Sequence, residues 1–217
     1  MENLSMILCI SMIVPLSMLI PVFIGRTRSN VMFLLIGILT CFFCGELNGL
    51  LIKLLEETSV KNYTVNVSPI IEELAKAYPL FIYGFLVRAD IQEMKERSLA
   101  LGVGFAILEN AYVLANNSDT VSIGLALIRG FGAGMMHGIC SLIVGCGIGA
   151  ICKYGKLKIT GSVAVMCVAI SYHSIYNDFV QSTYNIIGFI LPILTFVPML
   201  IILGRRGKAK PTEIKEV

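Results

Sequence analysis

The stretch SPIIEELAKAYPLFIYGF, residues 68–85, has the length and apolar content of a membrane-spanning helix, yet it carries Glu72, Glu73 and Lys76. One charged side chain at the centre of a bilayer costs about 3 kcal/mol or more, so such residues are candidates for function. On a helix, Lys76 is four residues from Glu72 and three from Glu73, which predicts that it lies one turn further along, between the two carboxylates. The stretch therefore predicts a polar site inside a membrane helix.

The composition of the whole chain agrees with a membrane location. Of its 217 residues, 56% are hydrophobic and 14% are charged, and the mean hydropathy is +0.83. A soluble domain has about 25% charged residues. We therefore predict an all-α, polytopic transmembrane helix bundle. The seven cysteines lie in or at the ends of apolar runs, with no spacing typical of a zinc site, and we interpret them as reduced, small hydrophobic residues.

The apolar segments predict seven membrane spans within a single integral membrane domain, residues 1–217. A helical span needs about 20 mostly apolar residues. The N-terminal segment lacks a basic region and a cleavage signal, so it is interpreted as a retained first span. The predicted spans are 5–24, 31–52, 68–87, 99–115, 121–151, 159–178 and 185–203, followed by a basic tail, 204–217.

The distribution of Lys and Arg predicts the orientation of these spans. Thirteen of the 17 basic residues fall in alternate loops and in the C-terminal tail. The other loops hold only Lys53 and Lys61, while Lys76 and Arg129 lie within predicted spans. Because positively charged loops stay in the cytoplasm, we predict an outside N-terminus and a cytoplasmic C-terminus.

This topology places polar residues from several spans at one depth near the outer face. At 1.5 Å per residue, Glu72 and Glu109 each lie about 6–9 Å from the outer end of their span. Phe105 and Glu109 share one helix face, as do His173 and Asn177, because each pair is four residues apart. The residues predicted at this depth are Glu72, Glu73, Glu109, His137, His173 and Asn177.

Each of these features also has a structural interpretation. Ser68 and Pro69 suit a helix start, with Ser68 as the N-cap, and carboxylates in the first turn are favoured by the helix dipole. Glu109 and Asn110 could be a buried polar pair, and His137 among glycines could bond to a neighbouring helix. Glu46 is interpreted as structural or supporting. Independent structural roles would not all fall at one depth, which favours a common site.

The residue types in this layer suit the hydrolysis of an amide. A carboxylate can act as general base on a water molecule. A His and Asn pair supplies N–H donors for an oxyanion. The chain has no HExxH and no GxSxG motif, so the usual zinc-protease and serine-hydrolase patterns are not met. Two His and three Glu residues could still bind a metal, an alternative that the sequence leaves open.

Four motifs resemble those of the PrsW-type glutamic intramembrane proteases. EELAK, residues 72–76, fits their EExxK motif, and FAILEN, residues 105–110, fits FxxxEN. His137 and HSIYN, residues 173–177, fit the later histidine positions. The resemblance covers roughly residues 65–180. The related CAAX prenyl-protease type has EExxxR and FxxxH instead, so the chain resembles the PrsW branch and departs from the other type at Glu109.

The resemblance implies a metal-independent enzyme without cofactors in a bacterial cell membrane. Such enzymes make the first cut, near the extracytoplasmic face, in a membrane-anchored anti-sigma factor during a stress response. The implied partners are a single-span membrane protein and the lipid bilayer, with no nucleic acid. Our hypothesis for the roles is as follows: Glu72 is the general base, Glu73 and Lys76 tune it, Glu109 and His137 complete the pocket with Phe105 and Asn110 in support, and His173 and Asn177 stabilise the oxyanion.

Three other functions compete with this interpretation. A non-catalytic membrane scaffold would have less reason to keep the Glu72, Glu73 and Lys76 set. An ion or proton transporter would carry polar groups through the full depth of the membrane, whereas the inner halves of the predicted spans are apolar. A metal-dependent intramembrane protease would lose its activity in strong chelators.

Overall fold

The computed structural model describes residues 4–20, 27–55, 59–87, 89–118, 122–151 and 158–204, and every regular element in these ranges is a helix. The all-α class is therefore confirmed. The helices are α1 (Leu4–Ser17), α2 (Thr27–Leu54), α3 (Val60–Asn66), α4 (Ser68–Val87), α5 (Ile91–Asn116), α6 (Ile123–Ile151), α7 (Lys158–Val180) and α8 (Asn185–Gly204).

Each predicted span overlaps one of the long helices, but the number of spans and their orientation remain predictions. Four helices, α2, α5, α6 and α7, are long and apolar enough to cross a membrane. Helix α4 has 20 residues but contains three charges, and α1 and the apolar part of α8, Asn185–Pro198, are shorter. The end of the predicted first span, 21–24, and the tail beyond residue 204 lie outside the described residues.

Helices α5 and α6 form the centre of the bundle, and α2 packs closely against α5. A Cβ atom on Gly37 would overlap the carbonyl oxygen of Leu101, and one on Gly104 would overlap that of Leu34. These two glycines therefore let the backbones of α2 and α5 touch, which is how small residues permit close packing of membrane helices.

A second close approach brings α6 against α5 beside the predicted site. A Cβ atom on Gly102 would lie 2.5 Å from the carbonyl oxygen of His137 and 2.7 Å from Oγ of Ser141. Because only glycine fits there, the α6 backbone at His137 lies directly on α5. His137 is fully buried as a result.

The structure differs from the sequence prediction at several helix ends. Helix α5 begins at Ile91, before the predicted residue 99, and Asp90 caps it by accepting a hydrogen bond from the Glu93 N–H at 2.8 Å. The short helix α3, which was not predicted, is capped by Ser59. Ser68 was expected to be an N-cap, but it is the first residue of α4 and its hydroxyl donates to Glu72 instead, since α3 leads directly into α4.

Candidate active site

Lys76 lies at the centre of a buried cluster formed by α4, α5, α6 and α7. Its ammonium is 2.5 Å from Oε1 of Glu73 and 3.0 Å from Nδ1 of His137. It also lies 4.8 Å from the centre of the Phe105 ring, a distance at which the ring face attracts a cation. The prediction that Lys76 lies between Glu72 and Glu73 is therefore wrong, because Lys76 pairs with Glu73 and its ammonium contacts His137 on α6.

The partners of His137 assign its tautomer. An ammonium has three N–H donors and no acceptor, so Nδ1 of His137 must accept from Lys76. The proton of the neutral ring is then on Nε2, which makes a very short contact with Oε2 of Glu109. Both ring nitrogens are thus occupied, one by a cation and the other by a carboxylate. The same ring packs on Phe105, with the ring centres 4.8 Å apart.

Glu109 has a second partner that the sequence did not assign. The guanidinium of Arg129 lies 3.3 Å from Oε1 of Glu109. Arg129 and His137 are eight residues apart on α6 and so share a face of that helix, and both reach the same carboxylate of α5. The sequence signal for Arg129 is its charge inside a predicted span. That signal does not identify its partner, Glu109, because Glu109 lies on another helix.

His173 connects the two carboxylates of α4. Its Nδ1 is 2.8 Å from Oε1 of Glu73, and its Nε2 is 3.8 Å from Oε2 of Glu72. Since the Glu73 carboxylate, paired with Lys76, can only accept, Nδ1 carries the proton. In the neutral ring, Nε2 is then an acceptor that faces Glu72. The His173 ring meets that of His137 edge to face, with the centres 5.0 Å apart.

Glu72 is the least compensated carboxylate of the cluster. Lys76 pairs with Glu73 and Arg129 pairs with Glu109, whereas Glu72 has no Lys or Arg partner among the described residues. Its Oε1 accepts a hydrogen bond of 2.5 Å from the Ser68 hydroxyl. Its Oε2 is buried and has no hydrogen-bond partner in the described part of the chain.

A cavity of about 520 Å³ opens onto this cluster. Its wall includes Glu72, Glu109, Arg129, His173 and Asn177. The remaining members of the cluster, Glu73, Lys76 and His137, do not line it and lie behind these residues. The two carboxylates of α4 therefore differ in access, because a molecule inside the cavity reaches Glu72 and not Glu73.

Two predicted residues make other contacts. Asn110 is fully buried, and its amide donates to the backbone carbonyl of Arg129 at 3.4 Å, which joins α5 to α6 outside the cluster. Asn177 lines the cavity, but one N–H of its amide donates to the carbonyl of Thr64 in α3 at 2.9 Å. Glu46 is exposed on the cavity wall.

The sequence also matches the model of a known protein family. A sequence model described as the PrsW family of intramembrane metalloproteases matches residues 26–203. The chain belongs to the PrsW family. As a PrsW-family membrane protein it is an intramembrane protease, a peptide hydrolase. No curated protein and no solved structure matches it.

The description of the PrsW family implies a metal, and three residues of the cluster offer suitable donors. One ligand atom each of Glu72, His137 and His173 lies within 4.8 Å of the others. Two imidazoles and one carboxylate are a donor set of catalytic zinc sites. Oε2 of Glu72 has no hydrogen-bond partner in the described part of the chain, and Nε2 of His173 lies 3.8 Å from it. His137 has no nitrogen left for an ion, because Lys76 and Glu109 occupy both. The arrangement thus fits a metal at two donors and fails at the third.

The arrangement in this PrsW protein can place a base, a cation and hydrogen-bond groups around one reacting centre. Glu72 supplies a carboxylate oxygen free to accept, and Nε2 of His173 supplies a second acceptor 3.8 Å away. Arg129 supplies a positive charge on the same cavity wall, and its buried Nε has no hydrogen-bond partner among the described residues. These are the parts that water activation and oxyanion stabilisation require.

Proposed function

We propose that this PrsW-family protein hydrolyses a peptide bond of a membrane-anchored substrate by metal-independent activation of water at Glu72. The observation that carries the proposal is that Glu72 lines the cavity while its buried Oε2 has no hydrogen-bond partner among the described residues. A water bound to this oxygen has Nε2 of His173 within reach as its second acceptor, since the two atoms are 3.8 Å apart. An ionised carboxylate accepts hydrogen bonds only, which suits it to take a proton from that water.

The proposed reaction has two proton transfers. Glu72 takes a proton from water as the water oxygen bonds to the peptide carbonyl carbon. The C–N bond then breaks, and the same proton passes from Glu72 to the departing nitrogen. Arg129 and the remaining N–H of Asn177 line the cavity and stabilise the charged carbonyl oxygen of the intermediate. With Nδ1 donating to Glu73, His173 presents Nε2 as an acceptor, so we assign it to orienting the water and not to the oxyanion.

Glu73, Lys76 and His137 act behind these groups in the proposal, and Glu109 supports them from the cavity wall. Glu73 holds the His173 ring through Nδ1, and Lys76 compensates the charge of Glu73. Glu109 lies between His137 and Arg129, and so keeps the guanidinium on the cavity wall. Phe105 packs against both Lys76 and His137. These residues preorganise the site without contacting the water.

The proposed substrate is a single-span membrane protein of the anti-sigma-factor type, and the proposed location is a bacterial cell membrane. The cavity lies where α4 begins and α7 ends, and it is lined by residues from both ends. Under the topology predicted from the basic loops, that end faces the outside. Cleavage would then occur near the extracytoplasmic face. The resemblance of the four motifs to PrsW-type proteases supports this substrate class.

The test uses purified full-length protein in liposomes with a single-span anti-sigma factor. We expect Glu72→Gln to lower the cleavage rate by about 10²-fold or more, as is typical for loss of a general base. Glu96→Gln is the matched control. Glu96 is a carboxylate near the start of α5, where it is bonded to Gln92 and does not line the cavity. Mass spectrometry of the fragments locates the cut. Normal cleavage by Glu72→Gln would overturn the proposed mechanism.

A metal-dependent reaction is the second candidate, favoured by the close approach of ligand atoms of Glu72, His137 and His173. A bound ion would supply Lewis-acid activation of water. Binding of the ion would also require His137 to lose its contact with Lys76 or with Glu109. Metal analysis of the purified protein distinguishes the two candidates, because only this one expects stoichiometric metal that is lost when His173 is replaced.

A further inference from the structure

Three hydrogen bonds in series connect the loop helix α3 to the proposed base. The hydroxyl of Tyr63 lies 3.0 Å from Oδ1 of Asn48 on α2. The amide nitrogen of Asn48 donates to Oγ of Ser68 at 2.9 Å. The Ser68 hydroxyl then donates to Oε1 of Glu72 at 2.5 Å. The series begins on a helix that hydropathy did not predict and ends on the carboxylate that faces the cavity.

The direction of the series is fixed by the chemistry of its members. A carboxylate accepts, so the Ser68 hydroxyl must donate to Glu72, and its oxygen is left to accept from Asn48. The carbonyl oxygen of the Asn48 amide can only accept, so Tyr63 donates. Burial, followed by the nearby Glu72 carboxylate, raises the pKa of the Tyr63 phenol. Tyr63 therefore keeps the proton that it donates.

Aligned hydrogen bonds polarise one another, so such a series is stronger than its separate members. We propose that Tyr63, Asn48 and Ser68 are positioning residues that hold Oε1 of Glu72, so that Oε2 is presented to the water. This inference rests on the proposed role of Glu72 as the base.

The start of the series is held in place by contacts between α3 and α7. Asn177 donates to the carbonyl of Thr64 at 2.9 Å, and the amide of Gln181 bonds the Thr64 hydroxyl at 3.0 Å. Tyr63 itself is buried, with 1% of its surface exposed. The loop helix is thus tied to the end of α7, and the position of Tyr63 is defined from that side as well as from α2.

A purely structural link between α2, α3 and α4 would give the same hydrogen bonds. The two roles differ in what they change. A structural link affects stability and the amount of folded protein, whereas a positioning role affects kcat with little change in KM. The conservative variant Ser68→Thr keeps a hydroxyl at this position, so it separates loss of the donor from loss of packing.

The experiment measures kcat, KM and thermal unfolding of the full-length protein in liposomes. We expect Ser68→Ala to lower kcat by about tenfold or more, with KM within about twofold, since an interaction needed only for the chemical step is lost. Ser68→Thr should recover most of that kcat. Tyr63→Phe should lower kcat less, and Ser68→Ala with Tyr63→Phe should be no slower than Ser68→Ala alone, because both act through one path.

The matched controls are Ser162→Ala and Tyr184→Phe, which remove a hydroxyl outside the cavity wall. Wild-type kcat in folded Ser68→Ala, or a Ser68→Thr variant as slow as Ser68→Ala, would overturn the positioning role. If the positioning role is overturned in this way but Glu72→Gln is inactive in the same assay, the proposed function still stands. Normal cleavage by Glu72→Gln would instead remove the proposed function, and the positioning role with it.

Discussion

The ammonium of Lys76 donates to Nδ1 of His137 across 3.0 Å, although the two residues are 61 positions apart in the chain. This contact sets the proton of His137 on Nε2, which faces Glu109. A cation on α4 thereby orients a ring on α6 towards a carboxylate on α5. The same ammonium bonds Glu73, so Lys76 fixes both the charge and the hydrogen-bond pattern behind the cavity.

Replacing Lys76 should therefore damage both stability and activity. Lys76→Met leaves the buried Glu73 without its ion-pair partner, which should lower the free energy of unfolding by about 3–5 kcal/mol. Cleavage should fall with it, because His137 loses the donor that fixes its tautomer. Thermal unfolding in detergent and the cleavage assay measure the two effects. Lys53→Met, at an exposed position of α2, is the control; equal stability of the two variants would contradict this account.

Arg129 should affect the chemical step more than the stability. Its pair with Glu109 is partly buried, but Glu109 keeps its contact with His137, so Arg129→Ala should cost less unfolding free energy than Lys76→Met. Loss of one oxyanion donor typically lowers kcat by about 10²–10³-fold. The kcat of Arg129→Lys should lie between those of the wild type and Arg129→Ala, because Lys keeps the charge but lacks the planar guanidinium. Arg28→Ala serves as the exposed control, and an unchanged kcat in Arg129→Ala would exclude the oxyanion role.

The packing of α2 on α5 predicts a stability effect without any change of charge. A Cβ atom on Gly104 would overlap the carbonyl oxygen of Leu34. Gly104→Ala should therefore lower the unfolding free energy by about 1–3 kcal/mol, as overpacked cores do. Gly124→Ala is the control, since the nearest atom there is 3.7 Å from the added carbon. Unfolding midpoints that shift equally in the two variants would contradict the close approach.

Removal of metal should leave the activity intact. In the described arrangement His137 has no free nitrogen for an ion, and the proposed mechanism uses Glu72 alone to activate the water. After prolonged treatment with a strong chelator, the cleavage rate should stay within about twofold of the untreated rate, a change of under 0.5 kcal/mol. Activity that disappears and returns on addition of zinc would instead favour the metal site of Glu72, His137 and His173.

The sequence predicted the helical class, but it missed Arg129 and could not predict how the charged side chains of α4, α5, α6 and α7 pair. Hydropathy identified the long helices, while α3 has only seven residues and gives no such signal. The spacing of EELAK allowed Lys76 to meet either carboxylate. The choice of Glu73 follows from His137 and His173, which come from distant parts of the chain. Helical spacing describes neighbours on one helix and contains no information on which other helix faces them.

The same limit explains why the contacts of Ser68 and Asn177 differ from those that the sequence predicts. Ser68 has the residue type and position of a helix cap, and only the presence of α3 immediately before α4 gives it another role. Asn177 lies on one face with His173, as predicted, but α3 takes one of its N–H groups. Both differences arise from a segment too short to be detected by periodicity.

The most direct test of the central claim compares substrate binding and cleavage by Glu72→Gln in liposomes. Gln keeps the shape of the side chain and can still accept from Ser68, but it cannot take a proton from water. The account predicts that substrate affinity stays within about twofold of the wild type while kcat falls by about 10²-fold or more. Cleavage by Glu72→Gln at close to the wild-type rate would contradict it.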